Sequence, residues 1–200
     1  MNESTNSVAQ EFLNELGSDS ADVLFLLKEA ADSVKFYRRL LERFELDSLT
    51  GLPGANKYNE FVKNIKNRAA TVGIIFYDVN DLKYYNDNKG HHAGDLLLQK
   101  AAESLMLVSG GNVHSYRLGG DEFVTVIANC TEKDISALME KWYEGLAKLN
   151  EADDGIHCSI SAGAAFGEEG YDPDEILKLA DERMYANKVE MKAKKGQVPR

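Results

Sequence analysis

At 200 residues, with 44% hydrophobic side chains and 23 basic against 33 acidic residues, the chain carries a net charge of −10. The length fits one domain with an attachment, and a chain of this size buries about 70% of its unfolded surface on folding. The excess of acid excludes a protein held on DNA or RNA by general electrostatic attraction, but not one that grips a single polyphosphate through metal ions and a few local bases.

Such bases gather near the C-terminal end, where Arg183, Lys188, Lys192, Lys194, Lys195 and Arg200 stand against Glu190 alone. Cys130 and Cys158 are a possible pair, but they suggest neither a disulfide framework nor a metal knuckle, and they read as small buried thiols. The first residues lack the basic and apolar regions of a secretory signal. The longest apolar stretches, 24–27 and 73–77, are far short of the roughly 20 residues of a membrane helix. No membrane segment and a cytoplasmic location are the expectations.

Residues 1–20 are polar, with a short amphipathic piece at Val8, Phe12, Leu13 and Leu16 that ends at Gly17. Ser18, Asp19 and Ser20 then offer N-cap chemistry. From Ala21 to about Leu46 neither Gly nor Pro interrupts the chain. Apolar or small residues recur at Val23, Leu26, Ala30, Ser33, Tyr37, Leu40 and Phe44, the 3–4 spacing of a coiled-coil seam. One long helix is predicted, its stripe widened by Leu27, Val34 and Leu41 and serving either self-association or packing on its own domain.

Beyond it the elements alternate. Tyr58, Phe61, Val62 and Ile65 predict a helix over 55–68, and the continuous apolar run at 72–77 reads as a central strand. A stretch rich in Asn, Asp, Lys and Gly over 80–92 reads as a polar loop, followed by a helix over 93–108. Strands at 113–118 and 123–128 flank the hairpin signal Gly119–Gly120. A helix over 133–149, a strand over 156–166 and a helix over 173–195, with Pro173 in its first turn, complete the chain.

The order β-α-β-β-α-β from residue 71 is an α/β (α+β) pattern of the ferredoxin-like type, a sheet covered by helices. A right-handed crossover makes the first two strands parallel, and the hairpin makes the third antiparallel to the second. In the usual sheet of this class the third strand lies beside the first. Asp78 and the Gly119–Glu122 turn then meet at one edge. Asp78, Asp121 and Glu122 repel one another there unless a cation lies between them, and hard oxygen ligands with room for phosphate suit Mg²⁺. A solvated acidic turn is the plainer alternative.

The segment 78–95 fails the calcium-loop pattern, with Leu82 and Lys83 where Asp, Asn or Gly are needed. Its amides and Lys83 can cradle phosphate, while Asn86 and Asp95 can read a base edge; a carboxylate accepts the paired N–H groups of guanine, which adenine lacks. The plainer reading is a long polar loop. His91, His92, His114 and His157 lack zinc spacing, and neither a P-loop nor a hydrolase elbow occurs.

Five ordered motifs resemble those of the GGDEF diguanylate cyclase family. Arg117 to Phe123 reads RLGGDEF, residues 47–52 read DSLTGL, and 78–95 resembles the block DxDxFKxINDxxGHxxGD. Residues 159–163 read SISAG, and 180–188 resemble ADxALYxAK. The resemblance covers roughly 45–195. It implies a palm-type fold and the joining of two GTP into cyclic di-GMP with release of two pyrophosphates.

By matching position, the resemblance implies that Asp78, the Val79 carbonyl and Asp121 would hold two Mg²⁺ or Mn²⁺ ions. On the same grounds Asp121 would help to deprotonate the 3′-hydroxyl and Glu122 would support the metals. Asn86 and Asp95 would bind guanine, with Asp95 favouring GTP over ATP. Lys83, Lys188, Lys192 and the amides near Leu82 would hold the triphosphate, where Gly119 and Gly120 leave room for substrate.

One site carries one GTP, so a homodimer, at least transient, is implied. The expected organisation is a dimerising or signal-transmitting helical segment at 1–46, a catalytic domain at 47–195 and a tail at 196–200. Where the family's inhibitory RxxD motif belongs, Gly110 and Val113 stand, so no inhibitory site is expected. Further departures are Asn80 for the second Asp of DxD, Leu82 for Phe, LTGLPGANK for the usual LTGLxNRR, and Lys192 for the usual Arg. A catalytically idle domain that binds GTP or a partner is the alternative. A purely structural interaction protein leaves the motifs unexplained.

Overall fold

The computed structural model describes residues 20–151 and 155–194, and among them the side chains of 25–37, 45–151 and 155–194. The amphipathic piece at 8–16, Ser18, Asp19 and the tail at 196–200 lie outside the described residues, as do the side chains of Val23, Leu40, Leu41 and Phe44. By backbone contacts the chain divides into two units at Phe44/Glu45.

Helix α1, Ser20–Phe44, belongs to the first unit. Of its stripe, Leu26 is half-buried, while Leu27, Ala30, Ser33, Val34 and Tyr37 are exposed, with the Phe36 and Tyr37 rings edge to face at 5.7 Å.

The second unit runs α2 (Ala55–Ile65), β1 (Val72–Val79), α3 (Leu82–Lys89), α4 (His91–Met106), β2 (Val113–Gly119), β3 (Glu122–Ala128), α5 (Glu132–Asn150), β4 (Ile160–Gly167) and α6 (Pro173–Lys194). Its four strands lie in the order β2-β3-β1-β4, every neighbouring pair antiparallel. The third strand does insert beside the first.

Strand β1 is buried along its whole length because both its faces are covered. Ile75, Tyr77 and Val79 face α4 and α5, among Leu97, Leu105 and Trp142; Ile74 and Phe76 face α2 and α6, among Tyr58, Ile65, Ala180 and Met184. That double cover explains the continuous apolar run in place of alternation. Trp142 Nε1 donates to Ser104 Oγ at 3.0 Å, so the largest core side chain leaves no polar atom unpaired.

Several boundaries differ from the sequence reading: α2 ends at Ile65, not 68, β1 runs on to Val79, and α4 spans His91–Met106 in place of 93–108. Strand β4 begins at Ile160, not 156, which leaves His157 and Cys158 outside it. Helix α5 begins one residue early on a capping box, in which Asp134 Oδ2 accepts from Thr131 N at 2.8 Å and Thr131 Oγ1 from Asp134 N at 3.3 Å.

Residues 82–89 are a helix, not a loop. Their Asn- and Tyr-rich composition disfavours one locally. Tertiary contacts override it: Leu82 and Tyr85 enter the core, Tyr85 Oη bonds the backbone N and O of His157 at 3.1 and 3.2 Å, and Lys89 Nζ reaches the Gly155 carbonyl at 2.9 Å. Both cysteines are free and buried, and burial pushes the Cys130 thiol up to about 11 and that of Cys158 to about 12. No helix of the described residues is long and apolar enough to cross a membrane.

Candidate active site

At the end of β1 the register sets Asp78 opposite Glu122 of β3 and opposite Ser161 of β4. Directly opposed residues of an antiparallel pair have Cβ atoms about 4.5–5.5 Å apart. Val79 N donates to the Asp121 carbonyl at 2.9 Å, which draws the third acid to the same edge. Asp78, Val79, Asp121 and Glu122 thus come together. Asp78 is buried, Asp121 half-buried and Glu122 exposed. Burial pushes Asp78 above its ordinary value; Lys188 opposes that and Asp121 adds to it. Glu122 is also raised, by burial first and then by Asp121, Asp78 and Asp181.

Helix α6 supplies the opposing charge. Lys188 Nζ lies 2.6 Å from Asp78 Oδ1, and half-buried Lys192 adds positive potential at the same carboxylate. The helix comes this close because β4 carries Gly163, where a Cβ would strike the backbone of Ala180 and Met184. Two of its side chains grip β4 directly: Asn187 Oδ1 accepts from Ala162 N at 3.1 Å, and Arg183 Nη1 donates to the Ala164 carbonyl at 2.6 Å.

Among the described residues no three His, Cys, Asp or Glu side chains are gathered closely enough to hold a metal by themselves. What the edge offers is a partial shell of hard oxygens, Asp78 and Asp121 with the Val79 carbonyl beside them, in which the buried carboxylate already pairs with a cation. That donor set fits Mg²⁺ or Mn²⁺ arriving with phosphate, because Mg²⁺ keeps waters and takes phosphate oxygens in preference to an all-protein cage.

Asn86 of α3 lies against Gly94 of α4, the residue before Asp95, where a Cβ would clash with Asn86 Oδ1. Asp95 is exposed on the first turns of α4, Lys83 is exposed, and Leu82 is half-buried at the start of α3. The two helices meet at Gly90, whose φ of 84° ends the first and begins the second.

The turn between β2 and β3 holds Gly119 and Gly120, with φ of 153° and 53°, a conformation that disfavours larger residues. An added Cβ at either would meet open space. Beneath it Arg117 donates Nε and Nη2 to the Gly120 carbonyl at 3.2 and 2.7 Å and Nη1 to Asp47 Oδ1 at 2.8 Å. Burial raises Asp47, but hydrogen bonds from Thr50 and Arg117 outweigh it and hold its carboxyl below the ordinary value.

At the family's inhibitory position, Gly110 and Val113 exchange two backbone hydrogen bonds of 2.9 and 3.0 Å and close a tight turn.

Sequence reasoning missed the Asp47–Arg117 link, although both residues lay in quoted motifs. It also missed the clip in which Asn80 Nδ2 donates to Ser161 Oγ at 2.9 Å, and the nearness of Asp181 to Glu122. The replacement of an acid by Asn80 was the available signal for the clip.

The chain matches the family model described as "Diguanylate cyclase, GGDEF domain" over residues 44–194. Signaling protein YkoW of Bacillus subtilis is 31% identical over 188 residues, 90% of this chain and 24% of YkoW. Diguanylate cyclase DgcP of Escherichia coli is 33% identical over 161 residues, 74% of this chain and 46% of DgcP. Other relatives are named as cyclic di-GMP phosphodiesterases. The chain thus spans less than half the length of these curated relatives. In fold it is similar to the coiled coil and GGDEF domain of DgcB from Caulobacter crescentus, solved with c-di-GMP, with a TM-score of 0.68 at 20% identity over 84% of this chain and 95% of that one. With a matched span that takes in all four strands and the acidic edge between them, the chain belongs to the GGDEF domain family.

Proposed function

We propose that this chain is a diguanylate cyclase that condenses two GTP into cyclic di-GMP and releases two pyrophosphates. The observation that carries this reading is the meeting of Asp78, Asp121 and Glu122 at one sheet edge under Lys188. Asn86 and Asp95 bind the guanine edge, and the Asp95 carboxylate accepts a paired donor set that adenine lacks. Lys83, Lys188, Lys192 and the amides at the start of α3 bind the triphosphate, with Gly119 and Gly120 giving it access to the backbone.

Asp121 accepts the proton of the 3′-hydroxyl as its oxygen attacks the α-phosphorus of the GTP on a second copy, and the bond to pyrophosphate breaks in line. Glu122 supports the metal site that Asp78 and Asp121 form. Two divalent ions, held by Asp78, Asp121 and the Val79 carbonyl when bound, supply charge neutralisation at the attacking and leaving oxygens.

The product's two identical halves require two sites facing each other, so the active form is a homodimer. The exposed stripe of α1 raises the local concentration of the second site. With GTP as substrate, the reading places the domain in the cytoplasm.

Incubating the purified chain with GTP and Mg²⁺ and separating the nucleotides tests the reading. Cyclic di-GMP is expected, its specific rate rising with protein concentration, and Asp121→Ala abolishes it. A protein that binds GTP yet forms no product at high concentration is instead a regulatory module. That second reading draws on the relatives named as phosphodiesterases, in which this domain accompanies a different named activity.

A further inference from the structure

Asp78 is a carboxylate with acidic neighbours and little access to water. It is buried at the end of β1, with its side chain only 11% exposed, Asp121 adjacent and Glu122 opposite across the sheet. Its charge is met by Lys188, whose ammonium lies 2.6 Å from Oδ1 and whose side chain is 24% exposed. Removing one partner of so enclosed a pair leaves a charge uncompensated, and the ammonium therefore has a strong reason to stay.

An ammonium and a divalent ion compete at that carboxylate: the ammonium takes one of its few acceptor sites, and the two positive charges repel at such close range. The edge, moreover, gathers no three acids close enough to hold a metal unaided. Lys188 differs from a fixed ligand in one respect: its charge ends a flexible four-carbon stem with freely rotating donors, and it can swing without any shift of the α6 backbone. Helix α6 itself is pinned by Asn187 and Arg183 on β4 and by the close approach at Gly163. The side chain is the mobile part and the helix the fixed one.

We infer that Lys188 holds the cation's place at Asp78 in the nucleotide-free protein and competes with a divalent ion for that carboxylate, so that metal and nucleotide bind interdependently. The triphosphate offers Lys188 a richer anion than Asp78, draws it away, and exposes the carboxylate to the ion that accompanies the nucleotide. The same exchange keeps the acidic edge neutralised when no GTP is bound. Linkage makes the effect reciprocal: whatever factor nucleotide adds to metal affinity, metal adds to nucleotide affinity. The inference rests on the metal assignment proposed above and adds to it a positioning role for Lys188, distinct from phosphate binding.

The test is binding of Mn²⁺ alone to the full chain at pH 8, followed by the electron paramagnetic resonance signal of the free ion. It is run without nucleotide and then with a GTP analogue that has a methylene bridge between the α- and β-phosphorus. Wild type is expected to bind Mn²⁺ weakly alone and more tightly with the analogue. Lys188→Met removes the charge but keeps the length and a good helix former. It is expected to bind Mn²⁺ alone roughly tenfold more tightly, with a smaller further gain from nucleotide. Lys188→Arg keeps the charge and is expected to stay weak.

If Lys188→Met binds Mn²⁺ alone no more tightly than wild type, while Asp78→Asn still loses binding in the presence of the analogue, Lys188 is a phosphate ligand only and the inference is overturned. If Asp78→Asn binds Mn²⁺ as wild type does with the analogue, the metal assignment itself fails, and the role of Lys188 falls with it.

Discussion

Arg117 Nη1 donates to Asp47 Oδ1 at 2.8 Å across 70 residues of sequence, while the same guanidinium holds the Gly120 carbonyl. Its backbone N also donates to the Pro53 carbonyl at 2.9 Å. The segment just past α1 is thereby tied to the turn that carries Asp121. Asp47 belongs to the DSLTGL stretch, so a motif near the beginning of the compact unit and the acidic signature are two ends of one hydrogen-bonded arrangement.

Arg117→Lys keeps the charge but cannot reach both partners with one fork. It is expected to lower stability by about 1–3 kcal/mol, the cost of leaving a charge-assisted bond unmade. Initial rates of cyclic di-GMP formation are expected to fall by more than the loss of folded protein explains. A rate that simply tracks the folded fraction in thermal melts removes the turn-positioning role.

Asp47 and Glu122 respond to acid in opposite senses. The folded protein holds Asp47 below its ordinary 3.8, so its contribution to stability is complete above that value and is lost as pH falls through the lower folded value. Glu122 is held above 4.5; its ionised form weakens the metal-free protein at neutral pH, and protonation relieves this as pH falls through the raised value. In EDTA, Asp47→Asn is expected to melt below wild type at pH 7, with the gap closing below pH 3.8. Glu122→Gln is expected to melt above wild type at pH 7 and to match it below pH 4.5. Melting curves at stepped pH check both.

Gly94→Ala separates binding from folding. Alanine in a helix is favoured over glycine by about 1 kcal/mol, yet its Cβ meets Asn86 Oδ1 and forces that amide away. Thermal stability is expected to hold within about 1 kcal/mol while GTP affinity falls roughly tenfold, the loss of one hydrogen bond to a base edge. Calorimetric titration with GTP reads the second number. Unchanged affinity would detach Asn86 from the nucleotide.

Product feedback through residues 110–113 is not expected, because Gly110 and Val113 put no charged side chain on a turn already closed by its own backbone. Amide shifts measured during titration with micromolar cyclic di-GMP should leave that turn unmoved. A saturating shift there would reverse the expectation.

How much was legible in the residues themselves follows from the range of each interaction. Periodicity is local: the double burial of β1 wrote itself as a continuous apolar run, the start of α5 was legible to within one residue, and the β-α-β-β-α-β order, with the usual sheet of that class, set β3 beside β1. From that order the meeting of Asp78 with Glu122 could be deduced, and the family motifs supplied the chemistry.

Other features depended on groups that no local pattern connects. Helix α3 exists because Tyr85 and Lys89 find backbone partners at His157 and Gly155, against the preference of its own residues. The Lys188–Asp78 pair joins residues 110 apart, and the Asn80–Ser161 clip residues 81 apart. Sequence by itself determined which elements form and which residue types reach the acidic edge. Only the tertiary structure decided how that edge is neutralised and tied down, because buried charges and polar groups are satisfied by whichever partner folding brings within hydrogen-bond reach.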